Sequence, residues 1–449
     1  MGGGLLQLVA CGAQDAYLSG NPQITFWKGL FKRHTNFAME PFRINFSGQP
    51  SWGTKQSAIV GRHADLLYST YLEVVLPYYD NTKTDTVFTW NNEQGRLGYN
   101  LIKYAELEIG GQLIDRLYGE WMFLWDSLTS DATTSLKLYQ MVGGRFAPGA
   151  TALTAPTGCS VAGGSSRPAL PNVFYVPLAF FYTRNPGAAL PLIALQYHEV
   201  KINIMWNQPK IIAGDFTKVN LMPAPTQAAI YIDYIYLDTE ERRRMAQESH
   251  EYLIEQTQYN EDVGISSYNN RIDLTFNHPV KELVWVVQPS SYTDCKMATK
   301  EGGVGTRLAP FTYDKPAVYK QWLQINGQDR MDYRYGDYFN KVQPFQHHTG
   351  GFTTVRDVQQ GAGQPDFLAD TINQQFGAYM YSFALKPEEH QPSGTCNFSR
   401  IDTATLVMEM SGAVAIDEST DKTLDVRVYA VNYNILRIMS GMAGLAYSN

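Results

Sequence analysis

Charge, cysteine and long apolar runs are what this sequence is short of. Asp, Glu, Lys and Arg make up only 18% of its 449 residues, and they sum to -7 with histidine neutral. Wholesale nucleic-acid binding needs a basic stripe, so the charge balance argues against it and no direct nucleic-acid contact is expected. The four cysteines, Cys11, Cys159, Cys295 and Cys396, lie far apart and make no CxxC or short-spaced Cys/His ligand set, which speaks against zinc. No apolar run reaches the ~18 residues of a membrane span, and no basic segment leads into an apolar one at the N-terminus. The chain therefore reads as made and kept in cytosol. Also absent are G-x-S-x-G, H-E-x-x-H and any carboxylate pair placed by spacing. The glycine-rich EGGVGTR at 301–307 lacks the Lys-Ser/Thr ending of a phosphate loop. No catalytic, cofactor or metal site is expected.

Aromatic residues, by contrast, are plentiful. With 29 Tyr, 21 Phe and 8 Trp in a chain that is 44% hydrophobic, the composition favours sheets with aromatic faces over solvated helices. The length exceeds what one core usually fills, so two domains of about 200 residues are expected. Alternating runs bounded by Gly, Pro and Asn recur, as in YLEVVLP at 71–77, AAIYIDYIYL at 228–237 and LDVRVYAVNYNIL at 424–436. The clearest helix is DTEERRRMAQESHEYL at 238–253, where Asp238 can cap and Glu241 can complete a capping box. Segments at 143–171, 289–316 and 346–372 are too polar and broken for core strands and read as long surface loops.

Self-similarity is the most informative pattern. LEIGGQLID at 107–115 and LQINGQDRM at 323–331 share Leu-x-Ile-x-Gly-Gln, 216 positions apart, each reading as a strand that ends in a glycine turn. Residues 175–204 lie without a gap over 381–410. This sets Tyr175 on Tyr381, and Val200, Ile202 and Ile204 on Leu406, Met408 and Met410. The expectation is an all-β protein of two similar units, each an eight-stranded sandwich, joined through the helix after Leu237.

Candidate sites are few. His198 and Glu199 sit side by side in LPLIALQYHEVKINIMW at 190–206, but neighbours on a strand point to opposite faces, so they cannot act as a touching pair. His347-His348 reads as solvated loop, and ERRRMA at 241–246 as the charged face of a linker helix. MGGGLL lacks the Ser or Thr a myristoylation signal wants, since Leu6 stands there. The sequons at Asn45 and Asn397 would matter only in a secreted protein. More suggestive is ITFWKGLFKRHTNFAMEPF at 24–42, where Phe26, Trp27 and Phe31 interleave with Lys28, Lys32 and Arg33. It reads either as an interface segment or as an edge strand or short helix capping the first unit. The residues before it, with Leu5, Leu6, Leu8 and Val9, read as an arm whose apolar side chains lack a partner in their own unit.

Taken in order, GGLLQLVACGAQDAYLSGNPQITFWKGLFKRHTNFAMEPF, LEIGGQLID, LPLIALQYHEVKI, DYIYLDTEERRRMAQESHEYLIEQ, INGQDR, YFNKVQPFQ, YSFALKPEEHQPSGTCNFSRID and NYNILRIMSGMAGLAYSN are distinctive. Together they closely resemble the major capsid protein of large icosahedral nucleocytoplasmic DNA viruses, in particular those infecting algae, of the phycodnavirus or chlorovirus type. The resemblance covers nearly the whole chain and departs mainly in the loops at 77–98, 127–171, 289–316 and 346–372.

It implies a double jelly roll: an arm at 1–24, a first jelly roll at 25–237, a linking helix at 238–253 and a second jelly roll at 254–449. It further implies a homotrimer whose six jelly rolls give a pseudo-hexagonal capsomer that tiles the virion shell against neighbouring capsomers. The arm would lie on the inner side, near minor capsid proteins and the internal viral membrane, and the long loops would form an outer crown. Synthesis would be in host cytoplasm, with no enzyme activity and no cofactor. The competing reading is a lectin-like jelly-roll carbohydrate binder, while cupins and glycosidases would need inward histidines or a facing carboxylate pair.

Overall fold

A computed structural model describes residues 2–27, 29–77, 97–142, 173–209, 223–290, 318–352, 377–411 and 423–447. Residues 1–38 and 39–449 form two separate compact units. The first holds two short helices, α1 (Gly3–Val9) and α2 (Ala13–Ser19), and none of its described residues is buried. Gly12 N donates to Asp15 Oδ2 at 2.8 Å, which closes the turn between them.

Among the described residues sixteen principal strands follow in two sets of eight. The first set is β1 (Phe37–Asn45), β2 (Lys55–Ile59), β3 (Leu66–Val75), β4 (Ile102–Ile109), β5 (Gln112–Tyr118), β6 (Val173–Pro177), β7 (Val200–Trp206) and β8 (Gln227–Leu237). The second is β9 (His250–Ile265), β10 (Asn269–Asp273), β11 (Pro279–Pro289), β12 (Val318–Ile325), β13 (Gln328–Asp329), β14 (Ala378–Ser382), β15 (Ala404–Met410) and β16 (Leu424–Met439). The first eight make sheets ordered β1-β8-β3-β6 and β2-β7-β4-β5; the second eight make β9-β16-β11-β14 and β10-β15-β12-β13. The order is identical in the two sets. Each is a jelly roll with antiparallel ladders, so the fold is a double jelly roll. Short pieces extend the sheets, among them Arg334–Tyr335 on β12 and Met442–Leu445 on β16.

Alternation explains why these segments became strands. Along β3, Leu72 and Val74 are fully buried while Tyr71 and Glu73 face outward. The strands β7 and β15, VKINIMW and ATLVMEM, bury the same positions although their sequences differ. The Leu-x-Ile-x-Gly-Gln repeat is the β4–β5 hairpin in one unit and the β12–β13 hairpin in the other. Its turn needs two consecutive left-handed residues, supplied by Gly110 (φ 59°) and Gly111 (φ 82°) and again by Asn326 (φ 50°) and Gly327 (φ 76°).

The gapless match of 175–204 on 381–410 is corrected by the ladders. Ile109 pairs with Val200 and Ile325 with Ala404, so Val200 corresponds to Ala404 rather than Leu406, a two-residue slip that keeps the face. Tyr175 is 42% exposed on the outer face, whereas Tyr381 packs against the second core. That slip is of odd length, and it inverts the face.

Helices also depart from expectation. The linking helix α7 (Thr239–Gln247) is shorter than 238–253, because His250–Leu253 already pair with Ile435–Ile438 as the start of β9. Strand pairing overrides the helical propensity of that stretch. Before it lie α3 (Leu97–Leu101), α4 (Gly119–Thr129), α5 (Ala132–Met141) and α6 (Phe181–Arg184), so helix occupies part of the 127–171 segment read as loop. The second unit adds a π-helical turn at Tyr338–Val342 that runs into α8 (Gln343–His347). The remainder of the expected loops, at 78–96, 143–172, 291–317 and 353–376, lies outside the described residues.

Two cores result. One lies between the sheets of the second jelly roll, around Leu283, Trp285, Val426 and Met408. The other fills the first jelly roll and continues onto the outer face of the β9-β16-β11-β14 sheet through Val284, Val286, Met380, Tyr429 and Val431. Each such buried side chain contributes ~1.5–3 kcal/mol, so the seam between the jelly rolls is part of the fold.

Candidate functional site

The seam is built around α4, which grows out of the end of β5. A Cβ on Gly119 would lie 2.2 Å from Ile102 O and 2.4 Å from Tyr99 O, so only glycine lets the chain turn there. The turn aims Glu120 at the second jelly roll. Its carboxylate accepts from Arg427 Nε at 2.7 Å, Arg427 Nη2 at 2.8 Å and Tyr429 OH at 2.6 Å. Burial works against the guanidinium charge, but Glu120 outweighs it and holds the Arg427 pKa above its usual value. Tyr118 packs on Tyr259 with ring centroids 4.6 Å apart and ring planes tilted by 30°.

One turn along α4, Trp125 meets a buried cluster of charges. The Arg184 guanidinium lies 4.4 Å over its ring and pairs with Glu255 at 2.6 Å. Glu255 also holds Lys281 at 2.8 Å, and Lys281 Nζ donates to Pro387 O at 2.6 Å. Next along β11, Glu282 accepts from His348 Nε2 at 2.8 Å, while His348 Nδ1 donates to Glu388 at 2.9 Å. The Lys281, Glu282 and His348 side chains are fully buried. Desolvation lowers the Lys281 pKa and opposes the charge on His348. For His348 the two carboxylates prevail and raise it to about 9. Burial likewise opposes the Glu255 and Glu388 charges, but their cationic partners hold both pKa values below the usual carboxylate value. Arg184, Lys281 and protonated His348 thus balance Glu255, Glu282 and Glu388. Beyond His348, Gly350 N donates to Leu128 O at 2.7 Å and Gly351 N to Ser127 O at 3.0 Å, which ties this segment to the end of α4.

A second junction lies at β5 and β9. Asp115 accepts from Thr257 N at 3.1 Å and Arg116 N at 2.9 Å, and burial raises its pKa to about 6 despite those donors. Breaking a buried pair by removing one partner costs ~3–5 kcal/mol. Chemically the arrangement is a charge-balanced lock between the jelly rolls. The adjoining cleft of ≈ 180 Å³ is walled by Arg184, Glu255 and Glu388, whose charges are engaged in these pairs.

The sequence-predicted residues fall elsewhere. His198 precedes β7 instead of lying in it, and its Nδ1 accepts from Ala443 N at 3.1 Å; Glu199 is exposed and paired with Lys201 at 3.4 Å. The arginines of ERRRMA pair with Asp65, Glu240 and Glu248. His348 was misread as solvated loop, because its partners Glu282 and Glu388 lie 66 and 40 positions away. Nothing local marks it. A signal did exist for Glu120: an acidic residue inside the apolar run GEWMFLW demands a partner. In the first unit Leu5, Leu6, Leu8, Val9, Phe26, Trp27, Phe31, Lys32 and Arg33 are all exposed, and Lys28 lies outside the described residues. Among the described residues no three His, Cys, Asp or Glu side chains are placed to hold a metal ion, and no helix is long and apolar enough to cross a membrane.

Comparison with known proteins matches residues 25–238 to the family model "Major capsid protein N-terminus", and residues 241–354 and 364–444 to "Large eukaryotic DNA virus major capsid protein". The major capsid protein of Pyramimonas orientalis virus is 45% identical over the full length of both chains. Among solved structures, PBCV-1 VP54 is 32% identical with a TM-score of 0.73, over 95% of this chain and 100% of that one. The quasi-atomic model of the PBCV-1 virus capsid gives 32% and 0.71 over the same shares.

Proposed function

Because this chain belongs to the major capsid protein family of large eukaryotic DNA viruses, we propose that it builds the capsid shell as a homotrimeric, pseudo-hexagonal capsomer. Its place is the virion capsid, where it assembles with other capsid subunits. The observation that carries the trimer is the duplication: two jelly rolls of identical strand order in one chain, locked by the Arg184–Glu255 and Glu120–Arg427 pairs. Three such chains present six near-equivalent lobes, so one gene product tiles a flat facet with closed symmetry.

The role is structural and not enzymatic, a reading that membership of a capsid protein family supports. The arm supplies lattice contacts. Leu5, Leu6, Leu8 and Val9, with Phe26, Trp27, Lys28, Phe31, Lys32 and Arg33, meet neighbouring capsomers or minor capsid proteins on the inner side, close to the internal membrane. Their exposure supports this reading, because burying apolar surface returns ~25 cal/mol per Å². The chain is synthesised in host cytoplasm and needs no cofactor. Native mass spectrometry tests the reading: a species at three times 50.5 kDa that persists at micromolar concentration is expected, and only monomer or dimer would overturn it.

A further inference from the structure

The four residues that turn β5 into α4 recur in the second jelly roll. Tyr118-Gly119-Glu120-Trp121 is matched by Tyr335-Gly336-Asp337-Tyr338, 217 positions on. The match is structural as well as chemical. Tyr118 pairs with Tyr104 on β4 and Tyr335 with Lys320 on β12, and those partners are 216 positions apart, as the hairpin repeats are. A Cβ on Gly336 would lie 2.3 Å from Val318 O, just as one on Gly119 would lie 2.2 Å from Ile102 O, again 216 positions apart. In both units the tetrad runs into helical turns.

Among the described residues the acids of the two tetrads differ in their partners. Glu120 is received by Arg427 and Tyr429 on the outer face of the β9-β16-β11-β14 sheet. Its counterpart Asp337 pairs through Oδ2 with Lys341 at 3.2 Å, while its buried Oδ1 has no hydrogen-bond partner among the described residues. Around it Tyr319, Tyr333 and Tyr335 are 44%, 48% and 56% exposed, with Lys320 Nζ 4.5 Å over the Tyr333 ring.

The receiving face also has a twin whose outer side is part-exposed among the described residues. The outer side of β1-β8-β3-β6, in the same strand order as the covered sheet, leaves Tyr71, Tyr175 and Tyr231 part-exposed beside Glu73 and Asp233. Tyrosine hydroxyls there are the same kind of donor that Tyr429 offers Glu120. The charges complement as well: Lys320, Arg334 and Lys341 border the tetrad, and carboxylates line the opposite face.

We propose that the surface centred on Tyr335-Gly336-Asp337-Tyr338 docks on the outer β1-β8-β3-β6 face of a second copy of this chain, repeating between chains the contact that Tyr118-Gly119-Glu120-Trp121 makes within one. The step is head to tail, and such heterologous contacts make rings when the rotation closes. This rests on the trimeric reading: two jelly rolls per chain and three chains complete a ring of six.

The test uses trimers assembled from mixed heavy-isotope-labelled and unlabelled full-length chains, coupled by carbodiimide, which joins amines to carboxylates at contact distance. Heavy-to-light links from Lys320 or Lys341 to Glu73 or Asp233 are expected. In parallel, Tyr335→Ala and Lys320→Glu should each weaken the trimer roughly tenfold or more on dilution, with unfolding of the isolated chain unchanged. A wild-type trimer that gives no such links, and whose variants dissociate normally, would overturn the docking face and leave the trimer standing. A wild type that stays monomeric at micromolar concentration would overturn both. Should a variant fail to fold, the wild-type links decide alone.

Discussion

Replacing His348 by glutamine should destabilise the protein most at and below pH 6.5 and least above pH 9. The imidazolium is fully buried between Glu282 and Glu388, which raise its pKa from 6.5 to about 9 against the cost of burial. A group whose folded pKa is raised stabilises fully below its unfolded value, and the contribution is lost as pH climbs through the folded one. The window is therefore pH 6.5 to about 9, and the gap corresponds to ~3 kcal/mol. On a cooperative unit of about 400 residues, where each kcal/mol moves Tm by roughly half as much as in a 200-residue domain, that is a shift of ~3–6 °C. The assay is calorimetric unfolding of wild type and His348→Gln across pH 6 to 10, taking the difference between the two so that other titrating groups cancel. Below the window the variant leaves the buried Glu282 and the part-exposed Glu388 without the cation that stood between them. Above it the wild type has lost the same cation. The difference should thus shrink as pH rises; a difference that stays constant across the window would show that His348 is not charged in the seam.

Glu120→Gln removes the anion beneath the buried Arg427 and should cost ~3–5 kcal/mol, with urea unfolding splitting into two transitions as the jelly rolls uncouple; a single unshifted transition would contradict the lock. Gly119→Ala drives a methyl into the Ile102 and Tyr99 carbonyls and should destabilise by at least ~1–3 kcal/mol in the same assay. Deleting residues 1–24, which bury nothing, should move trimer unfolding by no more than ~0.5 kcal/mol while leaving shells incomplete in electron micrographs of particles made with the truncated gene. Intact shells would refute the arm's role, and loss of the trimer would show that the arm belongs to the core.

Much of the fold was legible because alternation is local. Leu72 and Val74 inward with Tyr71 and Glu73 outward is a pattern ten residues long, and the glycine turns of the two β-hairpins carry their own signature. The helix α4 escaped because it is covered on most sides: Trp121, Met122, Leu124 and Leu128 are buried, so no polar face imposes a helical period. The charged lock escaped because its members come from α6, β9, β11, the residue that follows α8 and the loop at Glu388, and pairing over such separations leaves no mark on any one segment. The second tetrad was hidden for a related reason. The strand that leads into it is broken between Gln328–Asp329 and Arg334–Tyr335, which moves it by one position relative to the hairpin repeat. The 175–204 match failed where it leaned on single identities such as Tyr175 on Tyr381, since one residue of slip exchanges core for solvent.

The central claim is that the duplicated jelly roll makes three chains into a six-lobed tile. Electron microscopy of the purified full-length protein, averaged without imposed symmetry, tests it most directly. Particles with three-fold symmetry and six similar lobes in projection, each of jelly-roll size, are expected. Averages showing isolated two-lobed chains, or a two-fold dimer, would contradict it.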